Sequence, residues 1–106
     1  MTFLTELPGD NQSAAIDVRR IAGRQIIGGY SADGATEHAV LWDSTGTWDD
    51  TGQPKLLASL LSAASVDTNA WSSLSRITSL SDDGRTVAGW GVWATDGTTR
   101  GFVATL

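Results

Sequence analysis

A six-residue pattern occurs twice in the chain, as Gly23-Arg24-Gln25-Ile26-Ile27-Gly28 and, sixty-one positions on, as Gly84-Arg85-Thr86-Val87-Ala88-Gly89. The same shift carries Ile16 onto Ile77, and a shift of sixty-two carries Ala39-Val40-Leu41 onto Gly101-Phe102-Val103. One residue of slippage in a loop reconciles the two shifts. A chain with such self-similarity is built from two copies of one supersecondary unit, neither of which buries its apolar face alone.

Each copy contains a short apolar run, a glycine turn, a second apolar run ending in Gly plus an aromatic (Tyr30, Trp90), a further turn and a third apolar run. The runs are only a few residues long and rich in Ile, Val and Phe, which suits pleated strands rather than helices. Asp33-Gly34, Asp83-Gly84 and Asp96-Gly97 are turn dipeptides, because Gly accepts positive φ and Asp bonds to backbone nearby. Gly28, Gly29, Gly89 and Gly91 fall inside the strands, where glycine marks a bulge or the close approach of another backbone. The fold class read from the pattern is all-β: two antiparallel meanders, propeller-blade-like, forming one domain over residues 1–106. Unit one spans 14–50, with a last strand expected at Gly46-Thr47-Trp48, and unit two spans 74–106.

Between the units the hydrophobic period changes. Leu56, Leu57, Leu60, Leu61 and Ala64 recur at helical spacing behind Pro54, a residue suited to the first position of a helix. This predicts one inserted helix over 54–64, packed on the sheet or over an edge strand. Phe3-Leu4-Thr5-Glu6-Leu7 suggests an edge strand, followed by a turn at Pro8-Gly9. Trp71 is expected to anchor the polar connection 65–73 on the core, and the closing run Gly101 to Leu106 to be held in a sheet.

Seven Lys and Arg stand against twelve Asp and Glu, a net charge of −5 that argues against a nucleic-acid or anionic-lipid partner. The absence of cysteine removes disulfides, thiolate metal sites and thiol nucleophiles. No apolar run reaches the length of a membrane helix, and the first residues lack the pattern of a signal peptide.

His38 follows Glu37, so a general base with an orienting carboxylate can be drawn, but a half-exposed strand residue is the plainer expectation. No convergent acid and base are evident, and the chain reads as non-enzymatic with no cofactor. Carboxylates gather in turns without the spaced ligand run of a calcium loop, so turn capping is expected. A metal, if held, would be sought first at Asp82 and Asp83. Five tryptophans in a chain this short raise the reading of an aromatic ligand surface, for a protein or a carbohydrate, at Trp90, Trp93 and Trp48. Trp90 and Trp93 lie an odd interval apart and should face opposite ways.

The register Leu7-Pro8-Gly9-Asp10, Gly28-Gly29-Tyr30-Ser31, Glu37-His38-Ala39-Val40-Leu41-Trp42 and Gly46-Thr47-Trp48-Asp49-Asp50 resembles the HAF repeat of bacterial extracellular repeat proteins. The second half resembles the last repeat of such proteins, with Val40 and Arg100-Gly101-Phe102 departing from the His-Ala-Phe core. The resemblance implies an extracellular or envelope-associated β-repeat protein without catalytic residues to carry over. It also implies a scaffold or interaction module, a fragment or shortened relative, whose partners are neighbouring repeats of a longer chain or further copies of itself.

Overall fold

A computed structural model describes residues 4–21, 23–43 and 54–106. Among the described residues the protein is all-β with one short helix. Sheet A has the order β1-β2-β3-β4, from Gln12–Ile21, Arg24–Ala32, Glu37–Asp43 and Lys55–Leu56; sheet B has the order β5-β6-β7, from Trp71–Leu80, Thr86–Trp93 and Thr99–Thr105. All pairings are antiparallel, so each copy of the repeat is a meander. Ile26 and Val87 occupy the middle strands of the two meanders and both enter the shared core.

The turns follow from the Asp-Gly chemistry. Gly34, Gly84 and Gly97 adopt φ of +95°, +69° and +70°. The carboxylate ahead of each accepts backbone N–H groups: Asp33 from Ala35 and Thr36, Asp83 from Arg85, and Asp96 from Thr98.

The sheets pack face to face, with β5 lying across β1, β2 and β3. Gly28 makes this approach possible, since a Cβ there would come within 2.6 Å of Ile77 Cγ2. Ile26, Leu41, Leu74, Ile77, Leu80 and Val87 form the centre of the core. At one flank Asp17 joins the layers, its Oδ2 accepting the Leu80 N–H at 2.7 Å. The two units agree in which residues face inward but differ by one residue in the position of the β-bulge. In sheet A the register shifts at Ala15/Asp17, beside Gly29, which points away from sheet B; in sheet B a shift falls at Ile77/Ser79, beside the inward-facing Gly89.

Three expectations are corrected. The helix, α1, spans Leu57–Ala63 rather than 54–64, because Lys55 and Leu56 pair with Leu41 and Val40 as β4 and hold the backbone extended. Leu57 and Leu61 are its buried residues, with Leu60 half-buried against the core. Leu4 to Leu7 form no strand but lie on the outer face of sheet A, where Trp42 Nε1 donates to Thr5 O and Leu7 N donates to Ser31 Oγ. Unit two begins at Trp71 rather than 74; Trp71 opens β5 and meets Trp93 and Phe102 edge-on, at 5.1 and 5.8 Å between ring centres. The expected strand at residues 46–48 lies outside the described residues.

Candidate functional site

The outer face of sheet B has no covering layer among the described residues, and it exposes Trp90 and Val103. Alternation along β6 sends Val87, Gly89 and Gly91 toward the core and Thr86, Ala88, Trp90 and Val92 outward. The β7 residues opposite the outward set are Thr105, Val103, Gly101 and Thr99. None of these eight side chains is charged, and Val103 and Trp90 are 74% and 40% exposed. Trp90 pairs with Gly101, where an added Cβ would meet nothing nearer than Gly89 O at 3.7 Å. One flank of the indole is therefore open.

Arg76 closes the other flank. Its guanidinium lies 5.2 Å from the centre of the Trp90 ring and 4.2 Å from that of Tyr30 on sheet A. It donates twice to Glu37, Nε to Oε1 and Nη2 to Oε2, each at 2.7 Å. The hydrogen bonds from Arg76, and then its charge, hold the Glu37 carboxyl below its ordinary range, and the same pairing raises Arg76. The result is a fork, braced by two rings, that ties β3 to β5 and fixes Trp90 in place. The aromatic after the glycines in each unit marked Tyr30 and Trp90 in the sequence, but nothing local signalled that Arg76 would join them.

Trp93 turns to the opposite face, as its odd spacing from Trp90 requires. It packs on Trp71, and Arg100 stands 5.6 Å from its ring centre. Arg100 is held in turn by Asp96, whose carboxyl is lowered to about 2 by the Thr98 hydroxyl, the Thr98 N–H and Arg100. The structure thus separates Trp90 from Trp93, and Trp48 lies outside the described residues.

Glu37 and His38 also part company. Glu37 turns to Arg76, whereas His38 Nδ1 lies 3.3 Å from Asp10 Oδ2 on the outer face of sheet A. Asp10 Oδ2 accepts the Ser31 hydroxyl at 2.6 Å, and Ser31 Oγ accepts the Leu7 N–H at 2.9 Å. Ser31 has no exposed surface, so this Ser-Asp-His cluster seats the N-terminal segment and does not present its hydroxyl to a substrate. Asp83 caps its own turn, accepting from Ser81 Oγ and Arg85 N, which lowers its carboxyl. Asp82 is fully exposed, 3.8 Å from Arg19 Nε. Among the described residues no three His, Asp or Glu side chains converge as a metal cage, and no helix is long and apolar enough to cross a membrane.

Neither a family model, nor a curated protein, nor a solved structure matches this chain.

Proposed function

We propose that the chain is a non-catalytic β-repeat interaction module of an exported bacterial protein, associating with a second copy through the outer face of sheet B. The observation that carries this is the uncharged character of the β6–β7 part of that face, bordered by the Arg76–Glu37 pair, on a chain of net charge −5. Acidic copies repel one another, and a surface of Thr, Ala, Val, Gly and Trp is where they can meet without placing like charges together. Val103 and Trp90 supply apolar area that gains from being covered, and Arg76 holds the indole in one orientation, which lowers the entropy lost on association. The two meanders suit blades of a propeller-like assembly completed by other copies or repeats, and the HAF-like register around Glu37 to Trp42 supports the exported setting. Sedimentation of the wild type and of Val103→Glu tests the reading. A mass that rises toward a dimer with concentration, and stays monomeric in the variant, supports it; a wild type that remains monomeric at its highest soluble concentration overturns it.

The open flank of Trp90 beside Gly101 favours a second reading, a carbohydrate-binding face using the exposed indole as a platform. Saturable quenching of tryptophan fluorescence by a soluble oligosaccharide, lost in Trp90→Ala, would support that reading over the first.

A further inference from the structure

At the end of the molecule remote from Glu37, the sheets part around a cavity of about 210 Å³. Ile26 and Leu41 of sheet A and Leu60 of α1 give it an apolar lining, and the turn at Gly84 closes one side. Gly84 sits so near that a Cβ on it would crowd Ile26 Cδ1 at 2.5 Å. Three cations, Arg24, Lys55 and Arg85, stand around this lining, with Asp43 as the one acidic side chain among the described residues there.

That concentration is unexpected in an acidic chain with seven cations in all. Four of the seven have carboxylate partners: Arg19, Arg24, Arg76 and Arg100. Of the three without an ion pair among the described residues, Arg20, Lys55 and Arg85, two are at this cavity. Arg24 is the third cation at the cavity. Its Nη2 donates to Asp43 Oδ2 at 3.1 Å, and its buried Nε, like that of Arg19 away from the cavity, has no acceptor among the described residues. The convergence of the three cations on an apolar lining is what favours an anion there.

We propose that this cavity binds a small organic carboxylate with an apolar body, its carboxylate among Arg24, Lys55 and Arg85 and its hydrocarbon against Ile26, Leu41 and Leu60. The volume falls below the roughly 300–1,000 Å³ of drug-sized sites, which selects a short-chain or single-ring acid. The charge selects an anion over the matching alcohol, and the apolar lining selects an organic acid over a bare inorganic anion. The site is separate from the outer face of sheet B, so its occupancy and the association proposed above can fail independently.

Hexanoate, 1-hexanol and inorganic phosphate, each titrated into the ¹⁵N-labelled full chain, test the proposal. Hexanoate should give saturable shifts of the amides of Arg24, Lys55, Gly84 and Leu106, while hexanol and phosphate leave them unsaturated. In Lys55→Gln/Arg85→Gln, whose substitutions lie at exposed positions and spare the core, hexanoate should bind about tenfold more weakly. An absence of saturation with hexanoate, equal binding of hexanol or of phosphate, or unchanged affinity in the double variant would each overturn it.

Discussion

Gly29 and Gly89 sit where a carbonyl of the neighbouring strand points at the space a side chain would take. A Cβ on Gly29 would collide with Ala14 O, and one on Gly89 with Arg76 O, both well inside contact distance and both backbone atoms held by the ladder. Gly29→Ala and Gly89→Ala are therefore each expected to cost at least about 2 kcal/mol, read from urea unfolding, since a bulged strand has no soft side chain to move aside. Gly101→Ala, where an added Cβ makes only an ordinary contact of 3.7 Å with Gly89 O, should leave the unfolding midpoint within error; equal effects at all three positions would contradict the steric account. That crowding was legible in the sequence, because glycine amid apolar strand residues has few other reasons to be there. The Glu37–Arg76 fork was not, since its partners are 39 residues apart and meet only when the sheets dock. It gives a pH signature with a definite sign. The folded-state value of Glu37 is lowered, so its contribution is present above the ordinary glutamate range and is lost as pH falls through the folded value. Both partners are about a third exposed, which limits that contribution to below about 1 kcal/mol. Glu37→Gln should be slightly less stable than the wild type near neutrality and equal to it once the pH has fallen below the folded-state value of Glu37. A gap that persists in acid would show that the glutamine disturbs something other than the ion pair.

At the level of elements, α1 depends on packing more than on its own ends. It is seven residues long, has acidic residues absent from its first turn, and starts at Leu56 without a side-chain cap. Such a helix is held by Leu57 and Leu61 against the core. Leu61→Ala is expected to destabilise the protein by about 2–5 kcal/mol in thermal or chemical unfolding, against less than about 0.5 for Ser59→Ala on the exposed side. The leucine spacing showed the helix in the sequence but not its start, because β4 is imposed by Val40 and Leu41, which no window around Lys55 contains. The N-terminal segment shows the same limit. Leu4 to Leu7 look like a strand by composition, yet their place is set by Ser31 and Trp42 reaching them from β2 and β3. Ser31→Ala leaves both the Leu7 N–H and the Asp10 carboxylate short of a partner in a buried setting, and is expected to cost about 1–3 kcal/mol. Hydrogen exchange should locate the loss at residues 4–10; a loss spread evenly over sheet B would show that the segment is not what Ser31 secures.

For the whole molecule, the decisive asymmetry is in how the faces are covered. Each sheet covers the inner face of the other, α1 closes one margin of the core, and the segment from Leu4 to Asp10 lies on the outer face of sheet A over Ser31 and Trp42. Sheet B has no such layer among the described residues, and its outward ladder is the stretch without charge, down to the Thr86–Thr105 hydroxyl pair at its end. The repeat made two meanders legible, but it treats them as equivalent and so could not tell which face would stay uncovered. If copies meet through that face, the attraction is apolar and local while the repulsion comes from the net charge of −5 spread over the rest of the surface. Salt acts chiefly on the second term, since the screening length shrinks to about 10 Å at 0.1 M. Association should therefore strengthen several-fold as sodium chloride is raised from about 20 to about 200 mM, measured as a falling dissociation constant in sedimentation equilibrium. An interface held by ion pairs, such as Arg100 or Arg20 reaching acids on another copy, weakens over the same range. A dissociation constant that rises with salt would thus displace the sheet B face from the interface and point to the charged margins instead.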